Sequence, residues 1–135
     1  MPADSPAATE TLTVGKKLAD LCNQGKNLDA INALYDKDIV SVEAMQGTPD
    51  MPRTMKGKDA ILGKNQWWLE NHEVHSGSTT GPFPHGDRFI LMMNYDVTPK
   101  CGPMAGKRMQ MQEAGLYTVK NGKITREEFF YHMGG

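Results

Sequence analysis

Several glutamates stand in segments that otherwise read as strands, and three of them raise one question. A carboxylate there is either a spacer facing water or a buried acid able to move a proton. Glu43 lies in I-V-S-V-E-A-M (39–45), Glu113 in R-M-Q-M-Q-E-A-G-L-Y-T-V (108–119), and Glu127 in I-T-R-E-E-F-F-Y (124–131). Alternate residues of a strand share a face. On that period Val40, Val42 and Ala44 form a fully apolar face, while Ile39, Ser41, Glu43 and Met45 form a mixed one. Periodicity alone therefore turns the first set to the core and Glu43 to water. Glu113 shares its face with Met109, Met111, Gly115, Tyr117 and Val119, which points it inward. There it is either a structural acid satisfied by a Tyr, His or Arg, or a group with chemistry to do. Arg126-Glu127-Glu128 reads as a solvated charge run, yet Glu127 falls on the side of Phe129 and Tyr131. A carboxyl taken out of water holds its proton to higher pH and so becomes a base suited to neutral conditions. Two inward carboxyls would perturb each other.

Other polar groups offer less. The stretch N-H-E-V-H (71–75) carries His72, Glu73 and His75, but it lacks the spacing of a zinc helix and supplies too few ligands, so no metal is expected. His72 fits a helix end or a pocket rim. Trp67 and Trp68 are adjacent and point about 100° apart on a helix. Trp68 shares a stripe with Ile61 and Asn65 and is assigned inward, as packing or as a cavity wall. Met92, Met93, Met109 and Met111 suit either an adaptable pocket or an ordinary core.

The elements that must hold these groups follow from periodicity and punctuation. Residues 11–24 carry Val14, Leu18, Leu21 and Cys22 at helical spacing, stopped by Gly25. Asn27 is placed to cap a second helix bearing Leu28, Ile31 and Leu34. A turn at 36–38 leads to a strand over 39–45, and a loop with Pro49 and Pro52 follows. Gly57-Lys58-Asp59 opens a third helix with Ile61, Leu62, Asn65, Trp68, Leu69 and His72 on its stripe. A strand is expected over 73–81, closed by Pro82 and Pro84. Residues 88–97 are apolar on both faces and predict a central strand covered on both sides. Two further strands, 107–119 and 123–131, meet at Lys120-Asn121-Gly122, a strong hairpin signal. Helices in front and strands behind indicate an α+β domain with a mostly antiparallel sheet.

Composition bounds the partners. The 135 residues carry 15 basic and 16 acidic side chains, a formal net charge of −1. That fits a single domain over 11–135 behind a disordered lead of about ten residues. No basic block suggests nucleic acid, no run approaches the length of a membrane span, and the N-terminus lacks the marks of a secretory signal. Cys22 and Cys101 form no metal or redox motif, which fits free thiols in a reducing cytoplasm.

Three stretches in order, N-L-D-A-I-N-A-L-Y-D-K-D-I-V (27–40), G-K-D-A-I (57–61) and N-G-K-I-T-R-E-E-F-F-Y (121–131), resemble the NTF2-like superfamily and, within it, the SnoaL-like proteins. The likeness spans about residues 11–133. It implies a cone: a curved sheet wrapped around three helices, with a pocket at the wide end. It also implies a homodimer paired through the sheet and a small-molecule ligand. Members include isomerases, cyclases, dehydratases, hydrolases and proteins without catalysis. Against the ketosteroid isomerase branch, Tyr35 matches a helix-ending tyrosine and Glu43 falls at the catalytic base. Leu18 falls where that branch has an oxyanion-hole tyrosine, and the second oxyanion donor aligns with Glu113 or Ala114. The resemblance thus implies Glu43 as base and a pocket involving Tyr35, Asn65, Trp68, His72, Met111, Glu113 and Phe129. No cofactor is implied. Non-catalytic ligand binding and partner binding through the sheet remain alternatives.

Overall fold

The computed structural model describes residues 6–45, 49 and 52–131. Residues 1–5 of the expected lead, and His132 near the C-terminus, lie outside them. The described chain runs α1 (Pro6–Asn23), α2 (Asn27–Leu34), β1 (Tyr35–Val42), β2 (Thr54–Lys56), α3 (Lys58–Glu70), β3 (His72–His85), β4 (Arg88–Pro99), β5 (Met109–Lys120) and β6 (Lys123–Phe130). The six strands form one sheet in the order β2-β1-β6-β5-β4-β3. Neighbours are antiparallel except β1 and β6, which run parallel. This is the expected α+β cone, an open curved sheet with three helices against its inner face. Helix α1 already covers residues 6–10, which the sequence reading assigned to the lead.

The helices end where the chemistry dictates. Gly25 (φ 72°) follows α1 and accepts the left-handed turn that other residues resist. Helix α2 starts one residue off the expected cap. Lys26 occupies the cap without a side-chain bond, and Asn27 is already helical. No turn separates α2 from the first strand. Tyr35 ends the helix in extended conformation (φ −85°, ψ 137°) and opens β1 at once. The Asp36 carboxylate accepts from the Asp38 amide at 2.9 Å, and the strand shifts register between Tyr35 and Val40. Helix α3 stops at Glu70, so His72 leaves the helical stripe and begins β3.

Strand β3 runs through both prolines instead of stopping at them. It lies at the sheet edge, where a missing N–H costs no ladder bond, and its register shifts between Thr80 and Phe83. The hairpin closes as expected, with Asn121 (φ 53°) and Gly122 (φ 77°) both left-handed, the pattern of a type I′ turn.

The core lies between helices and sheet. Val14 and Leu18 of α1, Ile31 and Leu34 of α2, and Ile61 of α3 pack on Ile39, Phe89, Leu91, Tyr117, Val119 and Ile124. Each such side chain, once fully buried, contributes roughly 1.5–3 kcal/mol. Two facings differ from the sequence reading. In β1 the buried residues are Tyr35, Ile39 and Ser41, while Val40 and Val42 lie on the other face. In β4 Phe89, Leu91 and Met93 are buried, whereas Ile90 is 38% exposed on the opposite side. The outer face of the sheet thus carries apolar side chains in the open among charged and amide ones, which defeats any rule that sends apolar residues inward.

Candidate functional site

A cavity of about 470 Å³ opens between the helices and the sheet. Its walls carry aliphatic and sulfur side chains (Leu18, Ile31, Met93, Met111) and a set of rings (Trp68, Tyr95, Tyr117, Phe129, Tyr131). Met45, Pro52, Trp67 and Leu69 line it while staying exposed, so they mark its mouth. Within this apolar lining sit Glu43, Glu113, Glu127 and Lys64.

The strands deliver the carboxyls by their two-residue period. Ile39, Ser41 and Glu43 follow one another down the inner side of β1, and Glu127, Phe129 and Tyr131 down that of β6 and its end. In β5, Glu113 stands beside Met93 on the neighbouring strand, and Ala114 pairs with Met92. Of the two sequence candidates for a late acid, Glu113 is thus the one that faces the cavity. Helix α3 brings Lys64 and Asn65 inward together with Ile61 and Trp68, an i, i+3, i+4, i+7 stripe.

These groups form one polar chain. Glu127 is only 1% exposed. Its carboxylate accepts a short hydrogen bond from the Tyr35 hydroxyl and a second, at 2.8 Å, from Ser41 Oγ. Lys64 Nζ donates to Ser41 Oγ at 2.9 Å and to Glu43 Oε1 at 2.8 Å. Tyr131 donates to Glu43 Oε2 at 3.2 Å. Burial pushes the Glu127 carboxyl upward, opposed by the Lys64 charge and by the bonds from Tyr35 and Ser41. The Tyr35 hydroxyl is raised by its own burial and then by the Glu127 charge, so it stays protonated and donates. Tyr131 is pushed up to about 12 by desolvation and by Glu43.

Glu113 stands apart. No hydrogen bond from the described residues reaches its carboxyl. Burial raises it to about 7, the nearby charges of Glu43 and Glu127 adding to the effect and Lys64 opposing it. Among the described residues no ion pair engages it. Cys22, also in the lining, is pushed up to about 11 by burial and then Glu127, and is a poor nucleophile there.

The structure thus gathers Tyr35, Glu43, Asn65, Trp68, Met111, Glu113 and Phe129 around one space. It leaves out His72. The His72 ring stacks on Trp68 (centroids 4.3 Å apart, planes 13° apart), and its Nδ1 lies 2.8 Å from the Trp68 carbonyl oxygen. It braces Trp68 from outside the lining because α3 has already ended. Asn65 lines the cavity while its amide donates back to the Ile61 carbonyl at 2.9 Å. Lys64 and Ser41 were missed as site residues, and Glu127 was read as inward but given no role. The stripe Ile61–Asn65–Trp68 that identified Asn65 also carried Lys64. Among the described residues no group of His, Cys, Asp and Glu is arranged to hold a metal ion.

Three helices against an open, curved six-stranded sheet define the class as an NTF2-like α+β domain. The chain belongs to the SnoaL-like domain family, whose model matches residues 9–131. A protein from Mesorhizobium loti, named both as a SnoaL-like polyketide cyclase and as a carbohydrate phosphatase, is 48% identical, with 88% of this chain and 97% of that one covered and a TM-score of 0.81. A protein of ketosteroid isomerase-like fold from Catenulispora acidiphila, solved in complex with trimethylamine, is 22% identical (92% and 86% covered, TM-score 0.65). An epoxide hydrolase of M. tuberculosis is 14% identical (92% and 84% covered, TM-score 0.65). Among curated protein sequences none matches. Among the described residues no helix is long and apolar enough to cross a membrane.

Proposed function

We propose that this chain takes a small, largely apolar carbonyl compound into its cavity and moves a proton on it, in an isomerase-, cyclase- or dehydratase-type reaction without a cofactor. The observation that carries the reading is Glu113, a carboxyl unpaired among the described residues, set in an apolar lining and held near 7. A base poised near the working pH is the efficient one. Glu43, the base implied by resemblance, is less free: its two oxygens are engaged by Lys64 and Tyr131. We assign the proton transfer to Glu113, and to Glu43 the holding of Lys64. The cyclase part of the Mesorhizobium relative's name is in line with acid–base chemistry of this class; its other part, carbohydrate phosphatase, is not.

The test is exchange of enolisable C–H for C–D in D₂O, followed by NMR across a panel of small ketones. Glu113→Gln keeps shape and removes the base, so exchange should fall on the order of 10²–10⁴-fold. Unchanged exchange in that variant, with loss in Glu43→Gln, would return the role to Glu43.

A second reading is a non-catalytic binding module. Three carboxyls against one ammonium in the lining favour an organic cation, and the rings offer faces for it. The trimethylamine complex of the Catenulispora protein is in line with this. Calorimetry with trimethylamine separates the two readings, since a tight cation would lower Glu113 and remove its basicity near neutral pH.

We further propose a cytoplasmic homodimer paired through the outer sheet face. Phe83 (53% exposed), Ile90 and Phe130 (52% exposed) stand open there, and Ile90 and Leu116, then Met92 and Ala114, pair across β4 and β5 between them. An open apolar surface of this kind ordinarily marks an interaction site.

A further inference from the structure

Among the described residues Lys64 is the one cation in a lining of carboxyls and rings, and proton transfer alone gives it no task. Its side chain is 14% exposed and its ammonium reaches Ser41 Oγ and Glu43 Oε1. An ammonium carries three N–H donors. Two are spent, and among the described residues the third has no oxygen or nitrogen partner. Nζ lies 5.5 Å from the centre of the Phe129 ring, which is itself cavity wall. Glu113 acts on Lys64 through space from β5, so the acid and the cation border the same volume. The position that would supply an oxyanion-hole hydroxyl by resemblance is Leu18, which is buried, lines the cavity and can donate nothing.

We propose that the free N–H of Lys64 is the oxyanion-binding group of this cavity, and that the ligands it selects are enolisable ketones and their enol or phenol analogues. The inference rests on the carbonyl reading above. A substrate carbonyl oxygen docks on Lys64 with its adjacent C–H toward Glu113. The C–H bond breaks, its proton passes to the Glu113 carboxylate, and its electron pair moves into the carbonyl to give an enolate oxygen held by Lys64. The ion pair with Glu43 and the contact with Ser41 hold the ammonium in place, so its dipole need not reorganise as charge develops. Ser41 and Glu43 are positioning residues, and Lys64 touches the reacting oxygen.

The test uses 4-nitrophenol, whose neutral and anionic forms absorb differently, as a stand-in for the enolate. Glu43, Glu113 and Glu127 also border the space and all disfavour an anion, so binding as phenolate requires Lys64. Bound to the wild-type chain, the probe should ionise at least tenfold more readily than in water, an apparent pKa shift of about one unit or more. Lys64→Met should abolish the shift. Where that variant fails to fold because Glu43 is left unpaired, the double variant Lys64→Met/Glu43→Gln removes both charges and should lose the shift as well. Glu113→Gln removes a repelling charge and should enlarge the shift even as it stops exchange. A shift in the wild type with no exchange on any ketone would therefore sink the proton-transfer reading while keeping this one. A probe bound neutral by the wild type, bound equally as anion by the Lys64 variants, or not bound at all overturns the proposal.

Discussion

Replacing Glu113 by Gln should make the protein more stable at pH 8 while leaving its stability nearly unchanged at pH 4. The carboxyl moves from an ordinary 4.5 to about 7 on folding. Between those values the folded chain keeps the proton while the unfolded chain has released it. The folded state then binds more protons, so stability falls as pH rises through this window. Below 4.5 both states are protonated and the group costs nothing on this account. Above 7 the full cost of a buried carboxylate is present. At 1.36 kcal/mol per pKa unit the difference is about 3 kcal/mol, an upper figure because the carboxyl faces a cavity that water can enter. Gln has no charge to desolvate and escapes the term. Urea unfolding of both proteins at pH 4, 6 and 8 measures it, since the midpoint shift at constant slope is a change in stability. Glu127, also raised, contributes in the same direction in both proteins and cancels apart from its repulsion with Glu113, which the variant removes as part of the same term. Asp96, lowered chiefly by its bond from Arg108, has the opposite sign and is common to both. A gain for Glu113→Gln that is equal at pH 4 and pH 8, or absent at pH 8, would refute the idea that this carboxyl is held protonated by an apolar site.

Three other outcomes follow from named contacts. Asn121→Val should destabilise the closing hairpin by roughly 1–2 kcal/mol, the cost of a side chain that resists the left-handed backbone seen there, read as a lower urea midpoint. Gly115→Ala should cost roughly 1–3 kcal/mol, because a Cβ at that site would come within 2.7 Å of the Tyr117 ring, which is buried and cannot give way freely; a thermal melt reports it. Ile90→Lys combined with Phe130→Lys should convert the proposed dimer to monomer in sedimentation velocity without altering the circular dichroism spectrum, since both side chains are exposed in the single chain.

Elements with strong local signals were legible in the sequence; facings were legible for Glu113 and Trp68 but not for β1. The helical stripes, the Gly25 stop and the Asn121-Gly122 turn depend on neighbouring residues, and each appears in the structure. Strand β2 was invisible because three residues, Thr54–Lys56, show no period. Strand β3 was cut short because a proline halts an inner strand but not an edge one, and edge position is a property of the sheet. Glu43 shows the deeper difficulty. Periodicity sent it to water by assuming that the apolar side of β1 is the buried side. In this sheet Val40 and Val42 belong to the open outer face, beside Arg126 and Glu128 of β6, and the polar side faces the cavity. A cavity wall inverts the usual sign of the pattern, because it must carry the charged groups that a filled core excludes.

The same inversion explains why Lys64 escaped notice and Glu127 was given no role, while Asn65 and Phe129 were named. A lysine between apolar helix positions and a glutamate in a charge run are each ordinary as single residues. They become informative only as a set: Glu127 can be buried because Tyr35 and Ser41 donate to it, Ser41 can donate because Lys64 donates to Ser41, and Lys64 can be half-buried because Glu43 balances it. Those partners lie 92, 86, 23 and 21 residues apart in the chain, a separation that no local window spans. Every carboxyl in that chain is answered by a donor, and Glu113 is the one left over. A lone acid in a lining this apolar costs stability at neutral pH. Nothing in the packing requires it, since Met93 and Met111 show that the same wall accepts a neutral side chain. A cost without a structural return is what a site built around proton transfer would carry, and the stability measurement on Glu113→Gln weighs that cost directly.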